Sequence, residues 1–175
     1  MLIEMSVANF RSLRDQQTFS LMKSNSDELE STNTFSTKAF KTFELLRSAA
    51  IYGPNASGKS NFLAALRTMK KIVQESASLY KRGDKLPVTP FRLRAENRGL
   101  PSEFEVSCIV GGVRYQYGFS LTTEKVHEEW LFAYPKGRPQ RWFIRSWNNE
   151  EEKYEWDLGH NLTGEKQLWL KSTRE

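Results

Sequence analysis

Residues 51–62 read Ile-Tyr-Gly-Pro-Asn-Ala-Ser-Gly-Lys-Ser-Asn-Phe, and this stretch constrains the fold more than any other part of the chain. Two glycines, Gly53 and Gly58, are followed directly by Lys59 and Ser60. Apolar residues at 45–46 and 49–51 predict a buried strand leading into the stretch. Apolar spacings of three and four then predict a helix over about 58–78. We expect its buried face to comprise Phe62, Leu63, Leu66, Met69 and Val73.

The spacing matches Gly-x-x-x-x-Gly-Lys-Ser, the phosphate-binding loop of nucleoside triphosphatases, in its required strand–loop–helix setting. Such a loop ends at a helix N-terminus, so its backbone N–H groups face a polyphosphate. We expect Lys59 to neutralise the outer phosphates of ATP and the Ser60 hydroxyl to bind Mg²⁺. The alternative is a plain glycine–serine turn. The predicted nucleotide-binding residues in this stretch are Gly53, Asn55, Ala56, Ser57, Gly58, Lys59, Ser60 and Asn61.

Size and composition predict one domain, or part of a larger one. The chain has 175 residues, of which 38% are hydrophobic and 13% aromatic, enough for a core. The single cysteine, Cys108, cannot form an internal disulfide, which fits a reducing cytoplasmic location. No apolar run approaches the roughly 20 residues that span a bilayer. The N-terminus lacks the charged and apolar regions of a signal peptide.

The net charge of +5 is concentrated in one stretch. Residues 67–98 hold nine Lys and Arg against three Asp and Glu, whereas residues 99–175 hold ten against twelve. A basic patch of this kind fits the phosphates of DNA or RNA. It fits equally well a solvated helix face followed by a soluble loop.

The chain divides into six segments. Alternating apolar residues at the N-terminus predict an antiparallel strand pair, and Gly111-Gly112 between two alternating runs predicts a hairpin. Further alternation predicts strands at 126–134, 141–147 and 154–158. The segments are a strand pair (1–22), a polar loop (23–44), the phosphate-loop strand and helix (45–78), a basic connection (79–101), an antiparallel meander (102–158) and the start of a helix near Leu168 and Trp169 (159–175).

The carboxylate that usually holds magnesium through water, at the end of an apolar strand, is not evident in the sequence. The four aspartates, Asp15, Asp27, Asp84 and Asp157, all follow polar, glycine or aromatic neighbours. His127, beside two glutamates, is interpreted as an exposed strand residue rather than a catalytic base. We therefore expect the chain to supply the groups that bind nucleotide but not all the groups needed to hydrolyse it.

Two motifs carry a family resemblance. Asn-Phe-Arg-Ser at 9–12, followed by Gly-Pro-Asn-x-Ser-Gly-Lys-Ser at 53–60, resembles the N-terminal lobe of ABC-type ATPases related to the SMC, RecF and OLD proteins. The stretches at 48–53, 111–115, 128–131 and 134–137 resemble bacterial AAA-labelled ATPases of the abortive-infection, RloA-like type. The resemblance spans nearly the whole chain. It departs from the wider superfamily at Ala56, where glycine is common.

The resemblance implies an α/β fold, with the loop at the end of a central strand and an incomplete domain whose remaining parts lie further along a longer chain. It implies ATP hydrolysis by a homodimer closed head to tail, Arg11 at the nucleotide, and control of an effector such as a Toprim-type nuclease. Two other functions stay open. A nucleotide kinase would need an arginine-bearing lid, which the meander does not offer, and a nucleic-acid-binding module would use the basic stretch at 67–98.

Overall fold

The computed structural model describes residues 1–26, 28–37, 39, 44–79, 83–166 and 170. It contains a seven-stranded antiparallel sheet, a separate two-stranded sheet and one long helix. The elements, in chain order, are β1 (Leu2–Ala8), β2 (Gln17–Ser20), α1 (Glu30–Asn33), β3 (Thr34–Ser36), β4 (Glu44–Leu46), α2 (Lys59–Leu79), a 3-10 turn (Glu96–Gly99), β5 (Ser102–Val110), β6 (Val113–Leu121), β7 (Val126–Tyr134), β8 (Gln140–Asn148) and β9 (Lys153–Leu158).

The predicted hairpin and meander are confirmed. Val110 pairs with Val113 across the Gly111-Gly112 turn, where both glycines have positive φ, 56° and 79°. This backbone matches the right-handed twist of the flanking strands, and glycine adopts it without strain. Strands β7, β8 and β9 follow in order, each antiparallel to the one before.

The N-terminal strand pair is confirmed, and the structure adds a long-range pairing that the sequence did not reveal. Strand β1 lies between β2 and β5, so that Met5 is opposite both Phe19 and Val106. The order of the large sheet is therefore β2-β1-β5-β6-β7-β8-β9. Alternation shows which residues share a face of a strand, but it carries no information about a partner a hundred residues away.

Helix α2 is confirmed, but its predicted buried face is wrong in part. Met69 is buried as expected, together with Ala65 and Ile72, and these pack with Met5, Val7, Phe104 and Phe119 of the large sheet. Leu63, Leu66 and Val73 are exposed instead. Residues 62, 65, 69 and 72 form an equally regular stripe, and the small side chain of Ala65 lets the helix approach the sheet closely.

The predicted central strand before the phosphate loop is also wrong. Of the described residues 44–52, Glu44–Leu46 form a strand, and this strand pairs with β3 in the small sheet rather than with the large one. Residues 48–52 are exposed and outside any strand, and Tyr52 is 91% exposed. Residues 48–52 pair with none of the described strands, although β2 and β9 lie at the open edges of the large sheet.

The stretch 23–44 is more structured than the predicted loop, because it contains α1 and β3. Leu45 of β4 packs in a second apolar cluster with Ile3, Ala39 and Ile109. Phe104 and Ile109 lie on opposite faces of β5 by parity, so the two clusters cover opposite faces of the sheet. The helix predicted near Leu168 and Trp169 falls on residues outside the described ranges.

The sheet depends on glycine at position 118, where β6 passes beneath the indole of Trp130. A Cβ there would overlap the Trp130 ring and lie 2.8 Å from the backbone oxygen of Phe104. We expect Gly118→Ala to lower the free energy of unfolding by about 2 kcal/mol, the usual cost of overpacking. Urea denaturation monitored by tryptophan fluorescence measures this. Gly99→Ala is the matched control, because a Cβ there meets nothing within 4 Å; equal losses in the two variants would contradict the explanation.

Candidate nucleotide-binding site

The phosphate loop precedes the 21-residue helix α2. The amide of Phe62 donates to the carbonyl of Gly58 at 2.9 Å, which is the first hydrogen bond of the helical pattern. The preceding amides, those of Lys59, Ser60 and Asn61, therefore lie at the open N-terminus, where the helix dipole is positive. The amide of Ser57 instead donates within the loop, to Pro54 O at 3.3 Å. The arrangement leaves three amides and a positive dipole for an anion.

Lys59 lies across the mouth of this loop. Its ammonium donates to the carbonyls of Gly53 and Pro54, both at 2.8 Å. Two backbone oxygens thus hold a full positive charge over the same loop whose N-terminal helical amides can receive an anion. A phosphate chain entering the loop can therefore meet an ammonium that is already positioned.

The loop backbone has positive φ at three of the predicted binding residues, Gly53, Ala56 and Gly58. Gly58 has φ 97°, which favours glycine, and a Cβ there would lie 3.0 Å from Leu13 Cδ2, a contact that the leucine would have to relieve by moving. Ala56 also has positive φ, 65°, a conformation that costs an alanine about 1 kcal/mol. The departure from glycine at position 56 is accommodated as backbone strain in the exposed part of the loop.

A turn from the N-terminus packs against the start of the helix. Asn61 Nδ2 donates to Ser12 Oγ at 2.7 Å, and Leu13 lies against Gly58. The side chain of Asn61, predicted to meet a phosphate, is thus engaged by Ser12 here. Sequence reasoning quoted Ser12 only as part of a motif and did not assign it this contact. The turn and the loop form one local structure although 49 residues separate Ser12 from Asn61.

The phosphate loop and helix α2 lie in a stretch of the chain that matches a known protein family. A family model described as "AAA domain, putative AbiEii toxin, Type IV TA system" matches residues 48–160, which is more than half of the chain. The chain belongs to this family. The match starts just before the phosphate loop and ends after β9. No curated protein matches the chain. Residues 48–160 are accordingly an AAA-type, ATPase-like domain.

Arg11 belongs to the turn that contacts the AAA-type domain at Gly58 and Asn61. It follows β1 and has positive φ, 51°. Its amide donates to Thr89 O at 2.8 Å, and its guanidinium carbon lies 5.3 Å from the centre of the Phe10 ring. The turn thus places Arg11 in the neighbourhood of the loop. Its contact with a nucleotide stays a prediction.

Asn9 fixes this turn to the AAA-type domain, and sequence reasoning missed its role. The side chain is 6% exposed, and its Nδ2 faces the carbonyls of Asn97, Leu100 and Pro101 at 2.9–3.1 Å. Its Oδ1 accepts from the amide of Phe91 at 3.1 Å. Its φ is 49°, which asparagine tolerates better than most residues. The sequence feature that could have indicated this role is the position of Asn9 as the first residue of the Asn-Phe-Arg-Ser motif.

In the part of the chain that the structure describes, acidic residues do not form a cluster that could bind a metal at the loop. Asp15 pairs with Arg14 at 2.6 Å, and Asp157 pairs with Arg141 at 2.7 Å on β9, while Asp27 is outside the described residues. Among the described residues, no three His, Cys, Asp or Glu side chains are grouped so that they could hold a metal ion. The Ser60 hydroxyl at the helix N-terminus fits the usual single protein ligand of a phosphate-bound magnesium. Magnesium would there neutralise phosphate oxygens.

Other titratable groups of the AAA-type domain are parts of the sheet. Burial raises the pKa of the Cys108 thiol. Burial and the Glu129 carboxylate, to which its hydroxyl donates at 2.7 Å, raise the pKa of Tyr117. His127, predicted to be exposed, is half-buried, and burial and Lys125 lower its pKa. Each shift favours the neutral form at neutral pH.

No helix in the described ranges has the length and apolarity needed to cross a membrane.

The basic stretch at 67–98 splits into two parts in the structure. Arg67, Lys70 and Lys71 lie on α2, where Lys71 is 3.8 Å from Glu75. Arg92, Arg94 and Arg98 lie in the connection that Asn9 holds, and all three are exposed. Lys81 and Arg82, between the two parts, are outside the described residues. The stretch is therefore two basic surfaces on different elements, one helical and one a loop.

Proposed function

We propose that the chain is the ATP-binding lobe of an ABC/SMC-like ATPase that acts in phage defence by controlling an effector such as a nuclease. The observation that carries the proposal is the position of Lys59, whose ammonium lies over a loop that ends at the open N-terminus of α2. The loop, from Gly53 to Ser60, would bind the phosphates together with the amide of Asn61. Arg11 would reach the nucleotide from the adjoining turn.

Magnesium would be held by Ser60 and the phosphates. Within the described ranges, Asp15 and Asp157 already pair with arginines, and neither lies at the end of an apolar strand. We therefore infer that the group that activates water for hydrolysis comes from another part of the assembled ATPase. Isolated, the chain is expected to bind ATP without turning it over.

A homodimer closed on ATP would supply such a partner, with a second copy covering the loop. Large apolar side chains near the loop support a covered surface: Ile51 and Tyr52 precede it and are exposed, and Leu63 and Leu66 lie exposed on the first turns of α2. Contiguous exposed patches of aliphatic and aromatic groups are typical of interaction surfaces. The family description, which names a toxin–antitoxin system, supports control of a partner.

Nucleotide affinity tests the proposal directly. Isothermal calorimetry of the chain with ATP, ADP and AMP, with magnesium and then with EDTA, should show ATP and ADP binding. We expect AMP to bind at least about tenfold more weakly, because it lacks the phosphates that Lys59 neutralises. EDTA should weaken ATP binding. Equal affinity for AMP and ATP, or no binding of ATP, would contradict the proposal. Transfer of phosphate to a nucleoside monophosphate would favour the kinase alternative.

A further inference from the structure

A short exposed loop, residues 91–98, protrudes from the connection between α2 and β5. Residues 92–96 are all exposed, and Leu93 at the tip is 85% exposed. Arg92 and Arg94 flank this leucine, and Arg98 closes the loop by donating from Nε to Arg92 O at 3.0 Å. We propose that this arginine loop binds double-stranded DNA, with its guanidinium groups on the phosphates and Leu93 in the minor groove.

The loop is held in shape before any ligand arrives. Asn9 Oδ1 accepts from the amide of Phe91 at its start, and Asn9 Nδ2 donates to carbonyls at its end, those of Asn97 and Leu100. One buried side chain thus ties both ends together. The backbone of a loop fixed in this way loses little conformational entropy on binding, so the loop is preorganised to present its exposed side chains to a ligand.

The charge of the loop and of its neighbour complements a polyanion. Arg11, in the adjoining turn, is tied to the connection through its bond to Thr89 O. Within the described ranges, no carboxylate lies within ion-pair distance of Arg11 or Arg92. Arg94 has a long contact with Glu96, 3.7 Å between exposed groups, which is worth little in water, and it lies near enough to Asp15 to help lower the pKa of that carboxyl, which is itself paired with Arg14. These guanidinium groups can therefore exchange water for phosphate without breaking a strong pair.

Leu93 favours a DNA groove over a flat anionic surface. A leucine at the tip of a protruding loop can be buried in a concave groove, whereas a flat anionic surface would leave most of it in contact with water. Minor-groove proteins insert leucine between base steps and place arginine against the groove walls. The duplex presents a negative groove about 6 Å wide, which suits a single protruding side chain between two cations.

Fluorescence anisotropy of a labelled DNA duplex with the full chain, over a range of salt, tests the proposal. The double variant Arg92→Ala with Arg94→Ala should bind at least about tenfold more weakly, and the salt slope should fall by about two. The matched control is Lys136→Ala with Arg138→Ala, which removes two exposed cations with the same spacing from the turn after β7. This control should leave binding unchanged; an equal loss would overturn the proposal, because any two charges would then suffice.

Leu93 is tested with its own variant. Leu93→Ala should weaken duplex binding several-fold with the salt slope unchanged, and an RNA duplex, whose minor groove is wide and shallow, should bind more weakly than DNA. Unaltered affinity of Leu93→Ala, or equal affinity for the two duplexes, would overturn the groove assignment. Lys59→Ala should bind DNA as the parent does. The loop does not depend on nucleotide, so loss of ATP binding and loss of DNA binding are separate outcomes.

Discussion

Replacing Lys59 by alanine is expected to weaken ATP binding by about 100-fold, which corresponds to about 2.7 kcal/mol. The ammonium of Lys59 is held over the phosphate loop by two backbone oxygens of that loop, Gly53 O and Pro54 O. In the bound state it exchanges these neutral acceptors for charged phosphate oxygens, which adds the attraction between opposite charges to the hydrogen bonds. The alanine variant loses that gain entirely. Calorimetric titration with Mg-ATP measures it.

The same substitution should hardly change the stability of the chain. Lys59 makes two exposed bonds to the loop, and bonds of that kind contribute about 1 kcal/mol or less. A loss of ATP binding with an unchanged melting temperature therefore identifies the ammonium as a ligand group. Lys70→Ala is the matched control, because Lys70 is exposed on the same helix. If Lys70→Ala impaired binding equally, general electrostatic attraction would explain the effect.

The sheet could be predicted from sequence wherever its contacts are local. The β5–β6 hairpin follows from alternation and two glycines, and each later strand pairs with its predecessor across a short turn. The pairing of β1 with β5 could not be predicted, because about a hundred residues separate Met5 from Val106. The buried face of α2 was misassigned for a related reason. Two apolar stripes share the helix, and only the shape of the sheet selects the stripe that contains Ala65.

The candidate site also contains residues that the sequence predicts and residues that it does not. The residues of the phosphate loop follow one another in sequence, so a motif predicts them together. Ser12 and Asn9 act through tertiary contacts with Asn61 and with carbonyls near residue 100, which no spacing rule reveals. The strand predicted before the loop depended on a neighbouring strand that the described chain does not provide. The binding residues of the phosphate loop could therefore be predicted from the sequence. The residues that hold the loop and its neighbouring turn in place could be identified only in the folded structure.

Asn9→Ala is expected to be among the most destabilising single changes, at about 3 kcal/mol. It removes the acceptor of the Phe91 amide and the amide donor that faces the carbonyls of Asn97, Leu100 and Pro101, of which Asn97 O keeps the amide of Leu100 at 3.3 Å. An unsatisfied buried polar group costs about 1–3 kcal/mol. Alanine at φ 49° adds about 1 kcal/mol of backbone strain. For a chain of this size, thermal unfolding should shift downwards by about 10 °C.

Two further substitutions at this position separate the causes. Asn9→Gly relieves the left-handed backbone but restores no hydrogen bond, so it should recover about 1 kcal/mol relative to alanine. Asn9→Asp keeps the shape and the acceptor for Phe91, yet it replaces the donor by a carboxylate oxygen facing three carbonyls. It should therefore be at least as unstable as alanine at neutral pH. Stability of Asn9→Asp close to the parent would show that these carbonyls are satisfied by water. Asn9 would then hold the turn through Phe91 alone, and both the phosphate loop and the arginine loop would keep their positions without the shared anchor.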